Sequence, residues 1–176
     1  MIANPQRLQN LVRAVALFIA GFIITFTAAY HDTAFSIVLF VATVLAVGLL
    51  DLALSRSTKH HRRLAIARAV IAVLAALGLF VSPTIESFAL VVTLWAAVTA
   101  VLEVWAGWAS TNSSGNRELR WSGIFAGVAA ILVLVLPATP VSIIGVFGGY
   151  CFVVGTFIGI AAFDPQAPTS QQESSA

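Results

Sequence analysis

Six long apolar runs, with hardly a charge inside any of them, constrain this chain more than any other feature. They occupy about residues 11–30, 34–54, 64–81, 88–108, 121–136 and 141–163. A bilayer core about 30 Å thick is crossed by roughly 20 apolar residues in a helix, and each run approaches or meets that length. Barrel strands would alternate apolar and polar over roughly 10 residues, whereas these runs are apolar on every face. In lipid every backbone N–H and C=O has to find a partner within the protein, and a helix pairs them within the segment. The sequence therefore predicts an all-α membrane protein of six transmembrane helices. Charged residues make up only 9% of the chain and the mean hydropathy is +0.99, whereas a soluble domain carries about 25% charge. Nothing is left over for a separate soluble domain.

The runs pair into hairpins at about 11–54, 64–108 and 120–163, flanked by a short N-terminal tail (1–10) and a Pro/Ser/Gln-rich, disordered C-terminal tail (164–176). Residues 120–162 show the plan most plainly: an apolar run after Arg120, a corner between Pro137 and Pro140, then a longer glycine-rich run. The first run has a positive residue before it and a small-residue stretch at Thr27-Ala28-Ala29, as a cleaved leader would, but a three-hairpin plan requires it to stay.

In a six-span chain Arg7, Arg13, Arg56, Lys59, Arg62, Arg63, Arg68, Arg117 and Arg120 all fall on one side, and the three opposite corners hold no Lys or Arg. The positive-inside rule then puts both termini in the cytoplasm, with the chain multi-pass in the plasma (inner) membrane. This accounts for the net charge of +2 without a nucleic-acid partner; the partner is the lipid bilayer, with a homo-oligomer or a membrane-protein partner left open. His60 and His61 belong to the basic loop and would touch anionic headgroups.

Arg13, Arg68 and Arg120 recur at near-equal spacing, each opening an odd-numbered helix. Asp51 and Glu103 follow the first two at similar distances, and the corresponding place after Arg120 is Gly155. Because each hairpin contains two spans, the three repeats share one orientation, as parallel repeats do. Ionisable groups inside a span are costly and are paired or functional, so Arg13, Asp51, Arg68, Glu103 and Arg120 are the candidate intramembrane ion pairs. Gly123/Gly127, Gly145/Gly149 and Gly155/Gly159 keep the four-residue spacing that lets helix backbones approach, which makes them candidate helix-packing positions and marks the sixth helix as a centre of packing. His31 beside Asp32 lies at an outer corner and would titrate in mildly acidic medium. The expected catalytic and metal sets are empty and no cofactor is expected, so the chain reads as non-enzymatic.

Gly123, Gly127, Pro137, Gly145, Gly148, Gly149 and Gly155, with the Trp95 to Glu103 stretch of the fourth run, resemble the HdeD-like acid-resistance membrane proteins. That family consists of small bacterial proteins of about six spans built from repeated hairpins. The first hairpin departs from the pattern in having no proline at its corner. The resemblance implies a role in stress, specifically acid, tolerance and carries over no catalytic residue. An accessory subunit of a larger complex and a small transporter or channel are the alternatives.

Overall fold

The computed structural model describes residues 5–55, 59–109 and 113–163. Within them the chain forms six helices: α1 (Pro5–Phe26), α2 (Thr33–Leu54), α3 (Lys59–Val81), α4 (Ile85–Ala109), α5 (Ser113–Val135) and α6 (Pro140–Phe163). A single 3-10 turn, Ala28–Tyr30, links α1 to α2. Six of the helices are long and apolar enough to cross a membrane, which is the architecture of a multi-pass membrane protein.

At the arginine-bearing end the helices outrun the apolar stretches. α1 starts at Pro5 rather than near residue 11, and α5 at Ser113 rather than near residue 120. Hydropathy marks where lipid would begin, while polar residues continue the same hydrogen-bond ladder beyond it. The tail 164–176 lies outside the described residues, and of His60 and His61 only the backbone is described.

The opposite end uses one local device three times. Asp32 Oδ1 accepts from the Phe35 amide at 2.7 Å, Thr84 Oγ1 from Ser87 at 3.2 Å, and Thr139 Oγ1 from Ser142 at 3.1 Å. Each side chain sits at the N-cap and satisfies an amide that the first helical turn leaves without an intrahelical partner, a contact worth about 1 kcal/mol. The first backbone bonds of α2, α4 and α6 run from Ser36, Phe88 and Ile143 back to those same three capping residues. Pro140 is the first helical residue of α6, where its missing N–H costs nothing. These caps set where each even-numbered helix starts.

Helix packing closes a ring. α1 packs on α2, α2 on α3, and so on to α6, which returns to α1; α6 also touches α2 and α4. The most intimate pairs are α4 with α5 and α1 with α6. Small residues make them so. A Cβ on Gly123 would sit 2.9 Å from the Ala100 carbonyl oxygen, and one on Gly155 would sit 2.9 Å from the Phe18 amide and 3.0 Å from the Ala14 carbonyl. α6 buries half of its membrane-spanning window, against 33% or less for the others. Toward the capped end, Phe40 of α2, Phe88 and Trp95 of α4 and Phe147 of α6 interlock edge-to-face at centroid separations of 4.8–5.9 Å. Rings in this geometry gain about 0.5–1.5 kcal/mol per pair beyond burial alone.

Candidate functional site: a buried ion quartet

Near the arginine-bearing end four helices each send one ionisable side chain inward. Arg13 lies two turns into α1 and Arg68 more than two turns into α3, while Asp51 and Glu103 lie in the last two turns of α2 and α4. At 1.5 Å rise per residue all four are roughly 5–14 Å inside their helix ends. Glu103 is fully buried and Asp51 is 1% exposed. Glu103 Oε1 accepts from Arg13 Nη2 at 2.8 Å and from Arg68 Nη2 at 2.6 Å. Asp51 Oδ2 accepts from Arg68 Nη1 at 3.1 Å and lies 3.9 Å from Arg13 Nε. The result is a closed, charge-neutral cycle, Arg13–Glu103–Arg68–Asp51, that ties α1, α2, α3 and α4 together.

Arg120 stands apart from this cycle. It is exposed, its Nε donates to the Gly107 carbonyl at 2.9 Å, and its guanidinium lies 5.0 Å from the centre of the Trp108 ring. It therefore serves the last turn of α4, satisfying a carbonyl that has no intrahelical donor and stacking on an aromatic face. Among the described residues no carboxylate lies within ion-pair distance of it.

Ser122 of α5 and Ile158 of α6 complete the wall around the quartet instead. Ser122 is 1% and Ile158 3% exposed. Counted from the caps Asp32, Thr84 and Thr139, the residues Asp51, Glu103 and Ile158 fall at the same position. Likewise Arg13, Arg68 and Ser122 each directly precede the small residue that meets the neighbouring even-numbered helix: Ala14 against Gly155, Ala69 against Gly48, and Gly123 against Ala100. Aligning on arginines matched Arg120 and Gly155 to the charged positions, whereas packing places Ser122 and Ile158 there. The spacing from the caps is the sequence signal that carries this register.

The candidate packing glycines divide. Gly123, Gly127, Gly155 and Gly159 have atoms of a neighbouring helix within 4 Å of where a Cβ would be. Gly145 and Gly149 have none there and lie on the outward face of α6. Gly21 and Gly148, not singled out by the four-residue spacing, make a close contact between α1 and α6. A Cβ on Gly21 would lie 3.0 Å from the Gly148 carbonyl oxygen, and one on Gly148 would lie 2.6 Å from Ile24 Cγ2.

Four buried polar atoms of this region have no protein partner: Arg13 Nε, Arg68 Nε, Glu103 Oε2 and Ser122 Oγ. Two cavities abut them. An inner one of about 40 Å³ is lined by Thr43, Thr99 and Tyr150 and floored by Trp95 and Phe147. An outer one of about 50 Å³, toward the helix ends, is lined by Gln9, Asn10, Glu118 and Ser122. Arg13, Asp51 and Arg68 line both. Glu118, half-buried, accepts at its Oε2 from the Asn10 side-chain Nδ2 at 2.9 Å.

At the opposite end His31 Nε2 is 3.1 Å from Thr27 Oγ1. Partial burial holds its pKa below the usual 6.5, because desolvation disfavours the imidazolium.

Comparison of the chain with family models, with curated proteins and with solved structures finds no match.

Proposed function

We propose that this chain is a non-enzymatic scaffold of the plasma (inner) membrane, built from three parallel hairpin repeats closed into a ring, with both termini cytoplasmic. The observation that carries this reading is the ion quartet. Its four charges are consumed by one another, and they join four helices at a depth where an unpaired charge would be strongly unfavourable. Breaking such a cycle is costly, so its effect is to fix helix order and register. The repeated N-caps and the equal cap-to-quartet spacing support the repeat, and the one-sided basic residues support the orientation. The support for a role in stress, specifically acid, tolerance in a bacterium is the resemblance of the glycine and proline positions to the HdeD-like proteins.

Deletion in the native host followed by acid challenge tests that role; wild-type survival would remove it. A second reading, an accessory subunit of a membrane complex or a homo-oligomer, is favoured by the outward Gly145/Gly149 face on α6. Purification in lipid nanodiscs tests it, since a stoichiometric partner or a second copy has to be recovered. A small transporter or channel is the third reading, and the interlocked rings of α2, α4 and α6 weigh against it because they close the interior.

A further inference from the structure

The geometry points to a water-filled half-channel in the interior, which leads from the arginine-bearing end through the ion quartet to Tyr150 and stops at the aromatic floor. Three observations carry this. First, the two cavities lie on opposite faces of the quartet, one toward the helix ends and one toward the helix middles, and three quartet residues line both. Second, the polar atoms left short of a full hydrogen bond there are of both kinds: the Arg13 and Arg68 Nε groups are donors, while the Glu103 carboxylate and the Ser122 hydroxyl face each other without good hydrogen-bond geometry and keep acceptor capacity to spare. Third, the volumes of about 40 and 50 Å³ suit small clusters, since one water occupies roughly 10–15 Å³ of such space and needs two to four polar neighbours.

Water is the ligand that fits this combination. An anion would find Glu103 Oε2 and Glu118 against it, and a cation would find two guanidinium groups. Water donates to the carboxylate and accepts from the arginines in one place, which satisfies the buried groups without a charge of its own. Each helix presents a titratable group to this path: Arg13, Asp51, Arg68, Glu103, Glu118 and Tyr150 on α1 to α6 in turn. Beyond Tyr150 the rings of Trp95 and Phe147 pack 5.4 Å apart and edge-to-face, and the Phe40 and Phe88 rings behind them carry no polar group, so the path ends there.

Water-edited solid-state NMR on the isotope-labelled full chain in lipid bilayers tests this directly. Magnetisation from water is expected to reach the Arg13 and Arg68 guanidinium groups and the Thr99 and Tyr150 side chains as fast as it reaches the corners, but not Phe40 or Phe88. In Thr99→Val, which preserves side-chain shape, transfer to Tyr150 should fall while transfer to Arg13 and Arg68 persists. Thr99 and Tyr150 as dry as Phe88 in the native chain would overturn the proposal, as would undiminished transfer to Tyr150 in T99V. Hydrated Phe40 and Phe88, or proton flux across proteoliposomes, would overturn it in the other direction by showing a continuous pore.

Discussion

Glutamine in place of Glu103 removes one negative charge and changes almost nothing in size. In the native chain Glu103 Oε1 receives two charge-assisted hydrogen bonds, at 2.8 and 2.6 Å, from two different helices. Such bonds are worth about 1.5–3 kcal/mol each, and neutral ones about 0.5–1.5. E103Q therefore forfeits on the order of 2 kcal/mol from weaker bonds. It also leaves two buried guanidinium groups facing Asp51 alone, and breaking a buried pair in this way costs about 3–5 kcal/mol in all. Asp51→Asn is expected to cost less, because Asp51 makes one bond at 3.1 Å and a contact at 3.9 Å. Adding Arg68→Met to E103Q restores charge balance, so the double variant should recover part of the loss. Reversible unfolding in mixed micelles, run as a double-mutant cycle, measures all of these. An E103Q chain within about 0.5 kcal/mol of the native one, the range of an ordinary surface change, would refute the reasoning. So would D51N proving the more damaging of the two.

Gly123→Ala and Gly155→Ala should each destabilise by about 1–3 kcal/mol, the usual cost of overpacking, because the added methyl meets backbone at 2.9 Å. Gly145→Ala and Gly149→Ala meet nothing and should be neutral or gain up to about 1 kcal/mol of helix propensity; the same unfolding assay ranks all four. His31 should titrate below 6.5 by NMR, since burial favours its neutral form. Its contribution to stability is then present above the unfolded-state pKa and lost as pH falls through the lower folded-state value, so a Gln at that position should flatten that part of the acid stability profile. If α5 and α6 repeat the first two hairpins, Ile158→Asp alone should be damaging, and adding Ser122→Arg should restore stability measurably; no rescue would count against the shared register. Reporters fused after Pro83 and after Pro137 should both report the non-cytosolic side, and a cytosolic signal at either would reverse the orientation argument.

How much of this was legible beforehand differs between the helices and the site. The number of spans and the depth of Arg13, Asp51, Arg68 and Glu103 follow from hydropathy, because lipid selects for length and apolarity along the chain. That these four side chains are mutual partners does not follow. An apolar helix lacks the polar stripe that tells which face points inward, so its azimuth is set by its neighbours. Arg120 shows the consequence: two residues from Ser122 is more than half a helical turn, enough to direct it to the end of α4 rather than to the quartet. Gly145/Gly149 and Gly155/Gly159 make the same point on one helix: the spacing is identical, but the two pairs lie about 80° apart around the axis, and only the second meets a neighbouring helix.

The amino-acid sequence by itself determined that the chain forms six lipid-compatible helices, with basic residues at one end and corners free of Lys and Arg at the other. Those are properties of each segment taken alone, dictated by what lipid and a helix terminus will tolerate. Only the tertiary structure decided which ionisable groups meet, that the ring closes through α1 and α6, and that Ser122 and Ile158 stand where a third charged pair could have been. Those outcomes depend on rotation about each helix axis, which is settled where Ala14, Ala69 and Gly123 let neighbouring backbones close in.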